Sequence, residues 1–228
     1  MNAEYIKKHA SRLGADLCGI APVERFAAAP AGFHPRDIDP GACSVVVFAA
    51  HMPLSCLRAK TNVPYTLMRN HLLAKMDMMV MGLVEVLEKE GIAGVPIPSS
   101  DPYDDWDAAR RHGRGILSLK HAAVLAGLGT MGKNTLLVND RFGNMVWLGA
   151  VLVDALLEAD SPADYEGCPA GCRICLDRCP QKALDGLTID QSRCRAHSFV
   201  FTEGGEMVIR CNLCRTACPH RAGLRTPA

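Results

Sequence analysis

Eight cysteines lie in the last third of this 228-residue chain, between Cys168 and Cys218. They form two groups, and each group contains the pattern Cys-x2-Cys-x3-Cys-Pro. The same pattern ends the cysteine run of bacterial ferredoxins, in which closely spaced thiolates hold one cubane and the cysteine before proline ligates the other cluster. Two cubanes need eight thiolates, so the count and the spacing together predict two 4Fe-4S clusters.

The ferredoxin pattern also predicts which cysteines share a cluster. The predicted ligands of the first cluster are Cys168, Cys172, Cys175 and Cys218, and those of the second cluster are Cys179, Cys194, Cys211 and Cys214. Three residues rather than two separate Cys168 from Cys172, and we expect Gly171 to let that loop bulge. We expect the proline after each motif to begin a helix. Zinc is the competing metal, but paired zinc motifs give no reason for a further Cys-x3-Cys-Pro.

Composition bears on compartment and partners. The N-terminal segment indicates an amphipathic helix without the apolar segment of a signal peptide, and no stretch approaches 18 uninterrupted apolar residues. We therefore expect a cytoplasmic protein, in which clustered cysteines act as metal ligands rather than as a disulfide framework. Lys and Arg number 25 against 24 Asp and Glu, for a net charge of +1. Without a long run of like charge, we expect neither a membrane nor a nucleic acid as partner.

Helical and strand patterns alternate before the cysteines. The spacing of apolar residues predicts helices over 3–13, 65–90 and 117–126 and strands over 15–21, 44–50, 94–98, 135–138 and 145–153. Residues 99–115 indicate a loop. The alternation predicts an α/β (α+β) sandwich, and 49% hydrophobic residues are enough for its core. We expect a cofactor- or partner-binding α/β domain over 1–160 and a small ferredoxin-like two-cluster domain over 161–228.

A glycine-rich loop precedes the cysteines and matches two phosphate-binding motifs incompletely. Its predicted cofactor-binding residues are Gly127, Gly129, Met131, Gly132, Lys133 and Asn134. A dinucleotide fingerprint follows a strand and opens a helix, whereas here the order is inverted. A Walker A loop needs Ser or Thr after the lysine, where Asn134 stands. Two readings stay open: a turn that ends a helix, and a loop whose backbone a ligand approaches closely, which the density of glycines favours.

The string AGLGTMGKNTLLV, the strand ending VLVDALLEAD and the two cysteine motifs together resemble the epoxyqueuosine reductase family and, more distantly, the reductive dehalogenases. The resemblance covers roughly residues 115–220. It implies a nitroreductase-like α/β domain that holds cobalamin in its base-off form, and a ferredoxin-like domain that passes electrons to the cobalt. A ferredoxin or flavodoxin would be the electron donor. The glycine-rich loop would correspond to the cobalamin-side glycine motif of the family.

Two departures from that family pattern stand out. The family aspartate, some fourteen residues before the glycine loop, would fall near Gly113, so the catalytic acid is missing or relocated. Substitutes proposed by their proximity in sequence are Tyr103, Asp104, Asp105 and His121. The chain also stops eight residues after His220, which leaves no room for the C-terminal helical repeats that help the family grip tRNA. We therefore expect a short form of the family without a nucleic-acid substrate.

The leading functional hypothesis is an iron-sulfur oxidoreductase. Its two 4Fe-4S clusters would pass electrons to a cobalamin-type cofactor or corrinoid in the α/β domain, for the reduction of a small molecule. Two alternatives stay open. One is an electron-transfer or accessory iron-sulfur protein without an organic cofactor, and the other is a nitroreductase-like reductase that uses FMN.

Overall fold

The computed structural model describes residues 2–109 and 111–224. The helices are α1 (Ala3–Arg12), α2 (Pro35–Ile38), α3 (Val63–Lys89), α4 (Leu119–Leu125), α5 (Ile174–Asp177), α6 (Gln191–Ser198) and α7 (Leu213–Thr216). The strands are β1 (Leu17–Pro22), β2 (Ser44–His51), β3 (Gly94–Ile97), β4 (Asp105–Asp107), β5 (His112–Arg114), β6 (Thr130–Met131), β7 (Leu137–Val138), β8 (Val146–Val153), β9 (Phe199–Phe201) and β10 (Met207–Ile209). Two short 3₁₀ turns, Val23–Phe26 and Leu54–Leu57, complete the regular elements.

The main sheet contains four strands in the order β1-β2-β8-β3. Every neighbouring pair is antiparallel, with Ile20 opposite Val46 and Val46 opposite Val151. The predicted mixture of helices and strands is therefore confirmed. All neighbouring strands are antiparallel, which makes it an α+β arrangement, although the chain crosses over through α3 from β2 to β3, with β8 inserted between them.

Helices cover both faces of the sheet. Val46 and Phe48 on β2 pack in one apolar cluster with α1 and α3, whereas Val45 and Val47 pack in a second cluster with α4. The division follows from the strand geometry, since successive side chains point to opposite faces. All of β2 except His51 is buried, as a strand covered on both faces requires.

Most predicted elements form within a few residues of their expected ends. Helix α3 starts before the predicted position, because Pro64 is accepted in the first turn. The predicted strand over 135–138 shortens to β7, since Thr135 adopts a positive φ of 58°. The sequence predicted a loop over residues 99–115, but the structure has the antiparallel hairpin of β4 and β5 there. Among the described residues, no helix is both long and apolar enough to cross a membrane.

Candidate functional site

The two Cys-x2-Cys-x3-Cys-Pro motifs fold in the same way. Each places a one-turn helix around its second cysteine: α5 contains Cys175, and α7 contains Cys214. The amide of the last cysteine then donates to a carbonyl of that helix: Cys179 to Leu176 at 3.3 Å, and Cys218 to Arg215 at 3.4 Å. The helices α5 and α7 also pack on each other. The repeated motif therefore gives two matching ligand turns that face one another.

The proline prediction was wrong in position. Pro180 and Pro219 come after α5 and α7 and lie in turns, so neither starts a helix. Their missing amide is harmless there, because the chain has already left the helix. Gly171 does make the expected turn, with a φ of 70°, and the amide of Cys172 donates to the carbonyl of Pro169 at 3.0 Å.

Four thiols line one cavity of the structure, those of Cys179, Cys194, Cys211 and Cys214. Burial raises the pKa of Cys214 to about 11, and the other three thiolates raise it as well, whereas Arg215 lowers it. Metal binding requires thiolates, and a bound metal deprotonates such thiols outright. These four cysteines are the predicted ligands of the second cluster.

The remaining four thiols form a separate group. Burial raises the pKa of Cys218, and the nearby thiolates of Cys168, Cys175 and Cys172 raise it further. Cys218 therefore lies with three cysteines of the other motif. Each group thus contains one cysteine borrowed from the opposite motif, in the arrangement of the predicted ligand sets. Their ligation of clusters stays a prediction.

The described side chains do not form a site for a single metal ion. Within residues 2–109 and 111–224, no three His, Cys, Asp or Glu side chains converge closely enough to hold one ion. A cubane makes a different demand on the chain. Its four irons occupy separate corners, so its thiolates must surround a volume rather than meet at a point.

Gly127 ends helix α4. Its φ is 76°, its amide donates to the carbonyl of Val124 at 3.1 Å, and the amide of Leu128 donates to the carbonyl of Ala123 at 2.9 Å. These two bonds define a Schellman motif, in which glycine adopts the left-handed conformation. A Cβ at Gly127 would lie 2.2 Å from the carbonyl oxygen of Ser161. At Gly127 the structure therefore favours the helix-ending reading.

The next glycines also approach the chain itself. A Cβ at Gly129 would lie 2.5 Å from the carbonyl oxygen of Val138, and one at Gly132 would lie 2.7 Å from Oδ1 of Asn134. Met131, which is half-buried, belongs to β6 and pairs with β7. The sequence interpretation expected a ligand to occupy the space that a Cβ would take at these glycines. In the structure the protein's own atoms fill that space.

Lys133 and Asn134 connect this loop with both cysteine groups. The amide of Lys133 donates to Sγ of Cys168 at 3.4 Å, and its Nζ donates to the carbonyl of Cys172 at 2.9 Å. Nδ2 of Asn134 donates to the carbonyl of Cys214 at 3.0 Å. The loop therefore contacts the first group through Lys133 and the second through Asn134. We name it the bridging loop, residues 127–134.

Arg215 is a site residue that the sequence analysis missed. It lies between two predicted ligands on α7, yet it is only 7% exposed. Its guanidinium donates to the carbonyl of Asn144 and lies over the ring of Trp147. Nothing in the spacing signals its burial, because its contacts come from a distant part of the chain: Asn144, 71 residues away, and Trp147 on β8.

The candidate acids have separate partners. The hydroxyl of Tyr103 accepts a hydrogen bond from Arg195 at 2.8 Å, and the exposed Asp105 pairs with Arg114 at 2.7 Å. His121 lies on α4, with Nδ1 2.7 Å from the hydroxyl of Ser118. Burial lowers the pKa of His121, and the charge of Lys120 lowers it further. Asp104 is exposed.

The hairpin of β4 and β5 is held against the cysteine region. The side chain of Gln191 on α6 makes two hydrogen bonds with the backbone of Gly113, both at 3.2 Å. The guanidinium of Arg195, one residue after Cys194, lies 5.0 Å from the ring centroid of Trp106 and 5.3 Å from that of Tyr103. Gly113, where the family aspartate would fall, is therefore part of a contact between the hairpin and α6.

A polar cavity of about 340 Å³ opens beside α7. Thr61 and Asn62 line one side, and Asn212, Thr216 and Arg221 line the other. This second wall is the turn that carries the last cysteine motif. The cavity thus lies where the chain around the start of α3 meets the predicted ligands.

Comparisons with known proteins agree with the sequence resemblance, although no protein-family model matches the chain. The epoxyqueuosine reductase of Lactococcus garvieae is 36% identical over 115 residues, which cover 46% of this chain and 32% of that protein. That of Staphylococcus aureus is 32% identical over 123 residues, covering 49% of this chain and 32% of the relative. The alignments thus span about a third of the length of these relatives, and the resemblance to epoxyqueuosine reductases is confirmed over that part.

Solved structures extend the likeness to the whole chain. An epoxyqueuosine reductase from Streptococcus thermophilus has a TM-score of 0.67 at 20% identity, covering 100% of this chain and 68% of that one. A catabolic reductive dehalogenase in complex with 3-bromo-4-hydroxybenzoic acid has a TM-score of 0.69 at 18% identity, covering 96% of this chain and 32% of that one. At these identities the likeness establishes the fold alone.

One further structure corrects an expectation about partners. It is an epoxyqueuosine reductase with an epoxyqueuosine-modified tRNA stem loop, with a TM-score of 0.65 at 21% identity, covering 96% of this chain and 64% of that one. A protein of this fold therefore binds RNA, which conflicts with our expectation that nucleic acid is excluded. Near-neutral net charge does not rule out a local binding surface.

Proposed function

We propose that the chain is a two-cluster iron-sulfur reductase. The proposal rests on the grouping of the eight predicted ligands. They form two groups of four, and each group contains one thiol from the opposite motif. In this proposal residues 161–228 form a ferredoxin-like domain, and residues 1–160 form a nitroreductase-like domain that receives the electrons. The likeness to epoxyqueuosine reductases and reductive dehalogenases supports it.

The residues present fit two 4Fe-4S clusters. When bound, the clusters supply one-electron transfer. The chain would hold the first through Cys168, Cys172, Cys175 and Cys218, and the second through Cys179, Cys194, Cys211 and Cys214. A cluster with four thiolates carries net negative charge, and the buried Arg215 offers a fixed positive charge beside Cys214. Apolar side chains such as Leu184 and Ile189 exclude water from the second group.

The electrons also need an acceptor. A likeness to a reductive dehalogenase structure described for B12-dependent dehalogenation, with a TM-score of 0.67, supports a corrinoid. The bridging loop does not fit as its cradle, because its glycines pack on the chain itself. We therefore propose a small molecule as the acceptor and a different site for it, the polar cavity beside α7. Its volume of about 340 Å³ lies near the lower end of the range for small-ligand sites, about 300–1,000 Å³.

A second candidate is an electron-transfer protein without an organic cofactor. It is favoured by the closed bridging loop and by Gly113, which stands where the family acid would fall and is bonded to Gln191. In that case the electrons would leave the clusters for a partner protein. The same experiment separates the two candidates.

The test is anaerobic purification of the full chain, followed by iron and sulfide analysis. We expect about eight irons and eight sulfides per chain, and reduction of the clusters by a ferredoxin or flavodoxin. Absorption spectra with hydroxocobalamin, with FMN and with neither then identify the acceptor. A spectral change with one cofactor supports the reductase, whereas eight irons without any change supports the electron carrier. Zinc without sulfide would overturn both.

Cys43 offers a control for the metal analysis. It lies outside both groups and its thiol donates to the carbonyl of Gly41 at 3.5 Å. Cys43→Ala should keep the full iron content, whereas Cys175→Ala should lose the iron of the first cluster. Equal iron in the two variants would contradict the proposed ligands.

A further inference from the structure

We infer that Lys133 sets the reduction potential of the first cluster, so that the bridging loop is a redox-tuning element. The inference rests on the proposed function, because it requires the cluster to be present. Two contacts carry it. The amide of Lys133 donates to Sγ of the predicted ligand Cys168, and its Nζ donates to the carbonyl of Cys172, the next predicted ligand.

Both contacts favour the reduced cluster. Reduction adds one negative charge, so a fixed positive charge and a donor to sulfur stabilise the reduced form more than the oxidised form. Lys133 is half-buried, and its charge is screened less than that of an exposed lysine. Across the part of the chain that the structure describes, no carboxylate pairs with Lys133 to cancel that charge.

The loop holds Lys133 firmly in this place. On one side, Asn134 is buried, accepts a hydrogen bond from the amide of Leu136 at 3.2 Å and donates to the carbonyl of Cys214. On the other side, Gly132 leaves no room for a side chain between Asn134 and Val138. The loop is therefore anchored between the two cysteine groups, and its one charged side chain, that of Lys133, contacts the first group.

The contact with the second group is different in kind. Asn134 is neutral, and it reaches a backbone carbonyl rather than a sulfur. We therefore expect the charge of Lys133 to act unequally, strongly on the first cluster and weakly on the second. That inequality distinguishes a tuning role from a general effect on folding, which would disturb both clusters.

The test is Lys133→Met in the holoprotein, followed by an anaerobic redox titration monitored by electron paramagnetic resonance. We expect one of the two one-electron transitions to move to a more negative potential. The ratio of reduced to oxidised cluster at a fixed potential should fall about tenfold, which corresponds to about 59 mV. Lys133→Arg, which keeps the charge, should restore most of the original potential.

Two further variants show whether the shift is specific to Lys133 and which cluster it belongs to. Lys89→Met removes an exposed lysine charge at the end of α3, which packs on the opposite face of the sheet from α4, and should leave both transitions in place. Cys194→Ala removes a predicted ligand of the second cluster, so the transition that remains belongs to the first. Adding Lys133→Met to that variant should move the remaining transition.

The outcomes separate this inference from the proposed function. Fewer than eight irons in the unmodified protein would overturn the proposed function, and the inference with it. Eight irons with unchanged transitions in Lys133→Met, or an equal shift of both, would overturn the inference alone. If Lys133→Met loads too little iron, Lys133→Gln decides, because it keeps a donor for the Cys172 carbonyl but loses the charge.

Discussion

The guanidinium of Arg215 lies over the indole of Trp147, with 4.5 Å between Cζ and the ring centroid. Arg215 is buried, and among the described residues it pairs with no carboxylate. A buried charge without a counter-charge is costly. The adjacent Cys214 is a neutral thiol at neutral pH, because its pKa is raised to about 11, so the compensating negative charge would come from a cluster bound there.

Arg215→Met should therefore lower the stability of the holoprotein. It removes the contact with Trp147, worth about 2 kcal/mol when desolvated, and leaves the carbonyl of Asn144 without its donor. Arg193→Met is the matched control, because Arg193 is exposed and, among the described residues, forms its ion pair with Asp190, the N-cap of α6. The measurement is the urea midpoint of the anaerobic holoprotein. Equal midpoints in the two variants would show that Arg215 is not a buried structural cation.

Pairs of cysteine substitutions test the interleaved ligation. Cys168→Ala with Cys218→Ala removes two predicted ligands of the same cluster, so about four irons should remain. Cys168→Ala with Cys179→Ala removes one predicted ligand from each cluster, so the iron content should fall close to zero. If each motif ligated its own cluster instead, the two results would be exchanged. Iron and sulfide analysis after anaerobic purification gives the answer.

Gly127 and Gly91 form a natural comparison of two helix-ending glycines. Their φ values are 76° and 75°, but a Cβ at Gly91 meets no atom within 4 Å, whereas one at Gly127 would lie 2.2 Å from the carbonyl oxygen of Ser161. Gly91→Ala should cost about 1–2 kcal/mol, the penalty of the left-handed conformation. Gly127→Ala should cost more, because the backbone must also move.

The measurement is again the urea midpoint of the two variants. A second readout, the iron content, shows whether the shift at Gly127 spreads along the bridging loop to Lys133. Similar destabilisation in the two variants would contradict the close packing of Gly127, and would reopen the reading of this loop as a ligand site.

His121 should make the stability pH-dependent. Its folded-state pKa is below the ordinary value of about 6.5, first because of burial and then because of Lys120. Below pH 6.5 the unfolded chain therefore binds more protons at this position than the folded chain. Stability present above pH 6.5 should fall as the pH falls through the folded-state pKa, and then level off. The side chain of His121 is exposed, so solvent screens its interactions and the effect is small.

Urea midpoints between pH 7.5 and 5 measure this dependence. His121→Gln should flatten the slope, whereas His71→Gln, which changes an exposed residue on α3, should leave it in place. An unchanged slope in His121→Gln would contradict the shifted pKa. The slope should be compared in the holoprotein, since loss of a cluster would itself change the midpoint.

The sequence by itself determined the features that depend on residues close together in the chain. The two cysteine motifs, the turn at Gly171 and the extent of α3 follow from local spacing and from local backbone preferences. For the same reason the helix-ending reading of Gly127 was available, although the density of glycines favoured the ligand reading. Local pattern cannot tell which atoms will fill the space above a glycine.

Only the tertiary structure decided which distant residues meet. It placed the four strands in the order β1-β2-β8-β3, brought Cys218 beside Cys168, and buried Arg215 against β8. It also joined Gln191 to Gly113, 78 residues apart, where the family pattern had suggested an acid. These contacts depend on how the sheet faces and the ligand turns pack, and that packing is a property of the whole chain rather than of any segment.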